Sequence, residues 1–273
     1  MKEEKKLYKE AMQVLKDTSR TFYIPITLLE TTLKQTVASA YLCMRAIDEI
    51  EDDPEMDGET KQSLLLETSD LLKKQPFDKS AFDTLVAPYK SDLPEVTLRL
   101  GDWLEVCPEG IRGRVQTSTS EMAVGMAKWT ERHWQVHTEE DLDDYTYYVA
   151  GLVGVMLSDV WEWRDGTQTD RDLAIGYGRG LQAVNILRNK DEDSERGVNF
   201  FPDGWTRNDM FQYADKNLDL ADKYMEDIQA RTMVLFCKIP LALAKRTLKA
   251  LKRGNAKMSR QEVETTVDEI VNK

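Results

Sequence analysis

The sequence predicts an all-α protein, and three observations support this prediction. Apolar residues recur at three- and four-residue spacing over most of the chain. Helix-capping side chains, Pro and Gly fall between these periodic segments, where helices would start and stop. No segment alternates apolar and polar residues as a strand does. The length of 273 residues suits one large domain or two small ones with a sizeable core.

The apolar periodicity divides the chain into a series of predicted helices. In chain order they are residues 7–15, 28–52, 63–72, 80–89, 94–106, 111–132, a helix that opens at Thr138 and contains residues 145–154, 170–193, 208–230, 232–251 and a short final helix opened by Ser259. Thr138 and Asp141 resemble a capping box. Pro54 and Gly58 end the second helix, and Pro240 predicts a bend in the helix 232–251.

Composition excludes several classes of function. The formal net charge of −12 makes nucleic acid an improbable partner, and an anionic substrate would need a local cation or a metal. Three cysteines without metal-ligand spacing argue against a disulfide framework and fit a reducing cytosol. The N-terminus shows no signal peptide, and the longest apolar run, residues 147–157, is too short to span a bilayer. We therefore expect a cytoplasmic protein without a transmembrane segment, and leave open a peripheral contact with membranes.

The first candidate functional residues lie within the predicted helix 28–52. At about 100° per residue, Tyr41, Arg45, Asp48 and Asp52 fall within an arc of about 60°. Two carboxylates one turn apart, preceded by an Arg, would suit a hard cation such as Mg²⁺ and an anion that it neutralises. The alternative is a solvated acidic face, which is the more common origin of an isolated pair of this kind.

A second polar face lies on the helix 170–193. Gln182, Asn185, Asn189 and Asp193 lie within about 80° of one another, with Arg188 at the edge of that arc. If this helix faced the first one, oxygen ligands from two walls would line a common cavity. Helical bundles often build metal sites in this way.

Two further segments have both a functional and a structural interpretation. The hydroxyls of Ser19 and Thr21, beside Arg20 and followed by Phe22, would either cap a helix or hold a phosphate, and capping is the more common role. Inside the helix that follows Thr138, Gly151 and Gly154 each cost about 1 kcal/mol relative to Ala. Such glycines indicate close helix packing, a kink or room for a ligand.

Taken together, these motifs resemble those of the squalene/phytoene synthase family. The resemblance runs from Ser19 to about Pro202 and rests on the order of four motifs. They are Ser19-x-Thr21-Phe22, Tyr41-x-x-x-Arg45-x-x-Asp48-x-x-x-Asp52, the stretch Tyr145–Gly154, and Gly180-x-Gln182-x-x-Asn185-Ile186-Leu187-Arg188. The resemblance implies one domain over residues 1–273, a helical bundle with a central cavity that is known as the isoprenoid synthase fold.

The resemblance also implies a role for each matched residue. The expected cofactor is Mg²⁺, and the expected substrate is farnesyl diphosphate or a similar prenyl diphosphate. The implied metal ligands are Asp48, Asp52, Asn189 and Asp193, the implied catalytic residues are Tyr41, Arg45 and Tyr145, and the implied substrate-binding residues are Ser19, Arg20, Thr21, Phe22, Gly151, Gly154, Gln182, Asn185 and Arg188.

The chain departs from the family at its second motif. Asn189 stands where the family has the first Asp, and the Arg-x-Tyr-x-Pro pattern that follows is altered in residues 195–202. One fewer charge should weaken Mg²⁺ binding and the anchoring of a second diphosphate. We therefore expect hydrolysis of farnesyl diphosphate to farnesol, as in a phosphatase of this family whose second motif also begins with Asn. The alternatives are a head-to-head prenyl transferase that makes squalene, dehydrosqualene or phytoene, and a non-catalytic prenyl-lipid-binding protein.

Overall fold

A computed structural model describes residues 2–19, 21–254, 258 and 260–272. Helices make up most of these residues. Within the described ranges, the only β-type pairing is an isolated bridge between Gln135 and Asn199. The all-α prediction is confirmed.

The helices extend over the following residues. They are α1 (Lys2–Thr18), α2 (Tyr23–Leu28), α3 (Thr31–Asp52), α4 (Gly58–Leu72), α5 (Lys79–Val86), α6 (Glu95–Leu98), α7 (Leu100–Val106), α8 (Glu109–Glu131), α9 (Glu139–Thr146), α10 (Leu152–Asp165), α11 (Arg171–Glu195), α12 (Arg207–Glu226), α13 (Arg231–Lys252) and α14 (Arg260–Val271), with a 3₁₀ turn at Ala87–Tyr89 and a π-helical segment at Tyr147–Gly151.

Capping explains where several of these helices begin. The predicted helix 28–52 starts at Thr31 because the Glu30 carboxylate accepts hydrogen bonds from the backbone N–H groups of Thr32 and Leu33, each at 3.0 Å. The predicted capping box at Thr138 and Asp141 is present in both directions. The predicted helix 94–106 is instead two short helices, because Arg99 leaves the helical conformation at φ −109°.

The chain forms two compact units. The first comprises Met1–Ile26 and Glu30–His133, and the second comprises Thr27–Leu29 and Trp134–Lys273. The expectation of a single domain over residues 1–273 stays a prediction.

In the first unit, α3 is the central helix and packs against α1, α4, α6, α7 and α8. Its apolar side chains Leu42, Ile47 and Ile50 are fully buried, as the periodicity predicts. Two hydrogen bonds anchor α3 to its neighbours. The Ser39 hydroxyl of α3 donates to the carbonyl of Trp103 in α7 at 2.7 Å, and the Thr97 hydroxyl of α6 donates to the carbonyl of Ala46 in α3 at 3.0 Å. The opposite, polar face of α3 therefore belongs to a helix that is anchored to its neighbours by packing and by these two hydrogen bonds.

In the second unit, α11 is the central helix and contacts α10, α12, α13 and the π-helical segment. Glycines allow a close approach between its backbone and the preceding helical segment. A Cβ at Gly154 would lie 2.1 Å from the carbonyl oxygen of Ala174, and a Cβ at Gly178 would lie 2.2 Å from that of Ala150. Close packing, one of the interpretations left open for Gly154, accounts for this glycine.

Candidate active site

The last two turns of α3 carry a cluster of three carboxylates. Asp48, Glu51 and Asp52 each offer an oxygen, and these oxygens lie within 4.8 Å of one another. Among the described residues, no other group of three or more His, Cys, Asp or Glu side chains comes this close. Asp48 and Asp52 were predicted from the sequence and Glu51 was missed, although its position three residues after Asp48 places both side chains on one helix face.

The chemistry of this cluster fits a hard divalent cation. All three side chains offer carboxylate oxygens, and no thiolate or imidazole belongs to the group. Mg²⁺ prefers oxygen ligands and is commonly held by one or two carboxylates together with waters or substrate phosphates. Asp48, Glu51 and Asp52 are thus the residues that would hold the Mg²⁺ implied by the family resemblance.

Arg45 is held beside the cluster by two acidic side chains. Its guanidinium donates to the Asp48 carboxylate through Nη1 and to the Glu49 carboxylate through Nε at 2.8 Å. The Arg45 side chain is 30% exposed to solvent. An anionic ligand at this position would meet a guanidinium whose orientation is already set. Sequence reasoning missed Glu49, and its spacing of four residues from Arg45 was the available signal.

The acidic surroundings shift the protonation of Asp48. Burial of its carboxyl and the neighbouring charge of Asp52 raise the pKa of Asp48 to about 7, although Arg45 acts in the opposite direction. The side chain remains 31% exposed, so the cluster can be reached by an ion from solvent. The metal-free cluster is consequently under electrostatic repulsion, which a bound cation would relieve.

Tyr41 lies one turn before Arg45 on the same helix. Its phenol donates a hydrogen bond to the carbonyl of Thr18 at 3.2 Å, and its ring centroid lies 6.1 Å from that of Phe22. Burial raises the pKa of Tyr41, so the phenol stays a neutral hydrogen-bond donor.

The segment before α2 shows the capping role that was one of its two interpretations. The Ser19 hydroxyl oxygen accepts a hydrogen bond from the backbone N–H of Phe22 at 3.0 Å, and Thr21 is exposed. Arg20 lies outside the described residues. A role of Ser19, Arg20, Thr21 or Phe22 in binding substrate stays a prediction.

The polar face of α11 contains amide side chains that bond among themselves. Asn185 donates to the Gln182 amide oxygen at 3.3 Å, and Arg188 donates to the Asn189 amide oxygen at 3.2 Å. Gln182, Asn185 and Asn189 are half-buried, and Arg188 is exposed. Their roles as ligands of substrate or metal stay predictions.

Asp193, the remaining predicted metal ligand, is buried and already has a cationic partner. The side chain of Arg196 donates to its carboxylate at 2.6 Å. The Asp193 backbone carbonyl accepts a hydrogen bond from the N–H of Val198 at 2.9 Å. Arg196 belongs to the altered segment 195–202, and sequence reasoning did not assign it a partner. Within the second unit, α11 therefore carries one neutralised carboxylate and one neutral amide at the two predicted ligand positions.

The remaining predicted residues, Tyr145, Gly151 and Gly154, lie before, at the end of and after the π-helical segment Tyr147–Gly151. Tyr145 is buried and stacks on Phe200 with ring centroids 4.5 Å apart. A Cβ at Gly151 would lie 3.1 Å from the Ile175 side chain. As at Gly154, this position faces α11, so close packing explains both glycines, and contact of Gly151 or Gly154 with a prenyl chain stays a prediction.

Comparison with known proteins decides the family. The family model described as squalene/phytoene synthase matches residues 15–210, a range that contains every predicted site residue. The chain belongs to the squalene/phytoene synthase family. Human squalene synthase is 29% identical over 274 residues, which cover 89% of this chain and 63% of that protein. Squalene synthase 1 of Panax ginseng is 29% identical, covering 86% of this chain and 61% of its own length. This member of the family spans a little under two thirds of the length of these relatives.

Solved structures support the isoprenoid synthase fold. A ligand complex of TcSQS superimposes with a TM-score of 0.78 at 22% identity and covers 96% of this chain and 85% of its own. A dehydrosqualene synthase in complex with a ligand has a TM-score of 0.65 at 18% identity, with coverage of 99% and 97%. The fold predicted from the family resemblance is thus confirmed.

None of the helices in the described part of the chain has the length and apolar character needed to cross a membrane. This finding agrees with the expectation from the apolar run 147–157. Peripheral contact with a membrane stays a prediction.

Proposed function

We propose that this chain is a Mg²⁺-dependent enzyme that joins two prenyl diphosphates head to head. The observation that carries the proposal is the carboxylate cluster Asp48, Glu51 and Asp52 beside the ordered guanidinium of Arg45. The relatives that are named squalene synthase support condensation better than the hydrolysis that we expected from the second motif.

The proposed roles follow from the chemistry of a diphosphate leaving group. When an allylic C–O bond breaks, its electron pair leaves with the diphosphate, and the accumulating negative charge must be stabilised. Bound Mg²⁺ would supply that stabilisation as a Lewis acid, held by Asp48, Glu51 and Asp52. Arg45 would orient the diphosphate by hydrogen bonds, and the neutral Tyr41 phenol would turn its single O–H from the Thr18 carbonyl to a diphosphate oxygen. The allylic cation then forms a C–C bond with the double bond of the second prenyl chain, and a proton is lost.

Hydrolysis of farnesyl diphosphate is the second candidate, and α11 supplies the observation that favours it. Asn189 is neutral, and the Asp193 carboxylate is paired with Arg196 at 2.6 Å. Such a wall should anchor a second diphosphate weakly. Water would then take the place of the second prenyl chain: its oxygen bonds to the allylic carbon, a proton is released, and the products are farnesol and diphosphate.

Product analysis separates these functions from each other and from a non-catalytic prenyl-lipid-binding protein. The purified chain is incubated with farnesyl diphosphate and Mg²⁺, with and without NADPH, and the organic extract is analysed by gas chromatography and mass spectrometry. A thirty-carbon product supports condensation, and farnesol alone supports hydrolysis. Substrate that remains intact, while binding is still detectable, supports the non-catalytic protein.

Two controls sharpen this experiment. Asp48→Asn and excess EDTA should both abolish either product, because each removes the cation from the cluster. If farnesol is the product, hydrolysis in ¹⁸O-water distinguishes the mechanisms: label in farnesol indicates C–O cleavage and capture of the cation, whereas label only in phosphate indicates attack at phosphorus.

A further inference from the structure

The C-terminal turn of α3 has an electrostatically unfavourable sequence, because it is rich in acidic residues. This turn contains Glu49, Glu51 and Asp52 and no basic residue. The C-terminus of a helix carries partial negative charge on its free carbonyl groups, so acidic side chains destabilise it, and neighbouring carboxylates also repel one another. Arg45, one turn earlier, pairs with Glu49, and a second cation that reached the carbonyl groups would stabilise the end of the helix itself.

Lys61 of α4 supplies such a cation. Its ammonium group donates a hydrogen bond to the backbone carbonyl oxygen of Glu51 at 2.6 Å. Only 7% of the Lys61 residue surface is exposed, which is unusual for a lysine. A cation bonded to one of the last carbonyls of a helix stabilises that end through charge and hydrogen bonding together.

The connection between α3 and α4 holds Lys61 in register with that carbonyl. After α3 ends, the Asp53 carboxylate accepts hydrogen bonds from the backbone N–H groups of Glu55 and Met56 at 2.8 and 2.9 Å. Asp57 then caps α4 by accepting from the N–H of Thr60 at 3.0 Å. Lys61 follows in the first turn of α4, so its backbone is fixed by the same capped turn.

We propose that Lys61 is a positioning residue of the candidate metal site. It keeps the last turn of α3 helical in the metal-free protein and so holds the Glu51 and Asp52 carboxylates within reach of Asp48. Lys61 does not contact the metal or the substrate in this scheme. The inference rests on the proposed function in taking Mg²⁺ as the cation, and its test measures metal binding independently of turnover.

The test compares Mg²⁺-dependent thermal stabilisation of the purified full chain and its variants. Lys61→Met keeps the apolar stem and removes the charge and the donor, and the matched control is Lys73→Met at the exposed end of the same helix. We expect the Mg²⁺ concentration for half-maximal stabilisation to rise about tenfold in Lys61→Met. It should stay unchanged in Lys73→Met. Lys61→Arg, which retains charge and donors, should restore most of the affinity.

The second measurement compares the Mg²⁺ concentration needed for half-maximal turnover with kcat at saturating Mg²⁺. Lys61→Met should need about tenfold more Mg²⁺ for half-maximal turnover and should approach wild-type kcat at saturating Mg²⁺, because the ligands themselves remain. If Lys61 were merely structural, its replacement would lower the stability of the fold. The molecules that remain folded would then need the same Mg²⁺ concentration as the wild type for half-maximal turnover. Wild-type Mg²⁺ dependence in Lys61→Met, or equal impairment of Lys61→Met and Lys61→Arg, would overturn the proposal.

A variant that folds poorly still gives a decision. If Lys61→Met is unfolded in EDTA, Lys61→Gln, which keeps a donor without charge, takes its place. The Mg²⁺ concentration for half-maximal stabilisation should then rise about threefold in Lys61→Gln, and wild-type Mg²⁺ affinity in this variant would contradict the proposal. Absence of prenyl products from the wild-type chain would overturn the proposed function alone, since the thermal shift does not depend on catalysis.

Discussion

Replacing Asp48 by Asn should make the metal-free protein more stable at alkaline pH, although it removes a charged partner of Arg45. The folded-state pKa of Asp48 is raised from 3.8 to about 7, chiefly by burial and by Asp52. The folded protein therefore binds this proton more tightly than the unfolded chain does. The stabilising contribution of the protonated Asp48 carboxyl is fully present below about pH 4 and is lost as the pH rises to about 7. Above that pH, the charged carboxylate destabilises the fold.

The magnitude follows from the same difference in pKa. At about 1.36 kcal/mol per pH unit, a rise from 3.8 to about 7 corresponds to at most about 4 kcal/mol. Because 31% of the side chain is exposed, solvent screening reduces this value, and we expect about 1–2 kcal/mol. For a chain of this size, such a gain raises Tm by about 2–4 °C.

Thermal unfolding followed by circular dichroism tests this expectation. In EDTA, Asp48→Asn should melt above the wild type at pH 8, and the difference should shrink as the pH falls and vanish below about pH 4, where Asp48 is protonated in the folded and the unfolded chain alike. Added Mg²⁺ should stabilise the wild type and leave the variant unchanged. Asp70→Asn, at an exposed position on α4, is the control and should not gain stability over the wild type at pH 8. An Asp48→Asn variant that is less stable than the wild type at pH 8 in EDTA would refute the idea that the cluster is repulsive.

Three further predictions concern the carboxylate cluster on α3 in the first unit and the surroundings of α11 in the second. Asp52→Asn should abolish product formation at saturating Mg²⁺ while its circular dichroism spectrum stays that of the wild type; residual turnover above a tenth would remove Asp52 from the metal site. Gly154→Ala should destabilise the fold by about 2–3 kcal/mol in urea unfolding, because its Cβ would meet the Ala174 carbonyl oxygen at 2.1 Å. Gly151→Ala, whose Cβ would meet a side-chain methyl at 3.1 Å, should cost less, and equal stability of the two variants would contradict the packing explanation. Asn189→Asp should lower the Mg²⁺ concentration needed for half-maximal turnover by restoring a charge to α11, and an unchanged Mg²⁺ titration would show that this position does not face the metal.

The sequence alone determined the fold class and the main polar helix face. Periodicity needs only local spacing, and a helix turns by a fixed angle per residue, so the shared face of Tyr41, Arg45, Asp48 and Asp52 followed from their numbers. The order of the motifs was likewise enough to assign the squalene/phytoene synthase family, which the match over residues 15–210 confirms. The capping box at Thr138 was also predictable, because its partners lie three residues apart.

Only the tertiary structure decided which of the predicted residues are occupied by packing, hydrogen bonds or ion pairs within the protein. Gly154 faces the backbone of α11, and no local pattern distinguishes that packing from a ligand cavity, because it depends on a residue twenty positions away. The contact of Lys61 with the end of α3 likewise requires the capped turn between the two helices. The raised pKa of Asp48 arises from burial, which a sequence position does not specify. Helical spacing is a local property of the backbone, whereas burial, pairing and charge compensation are set by which elements pack together.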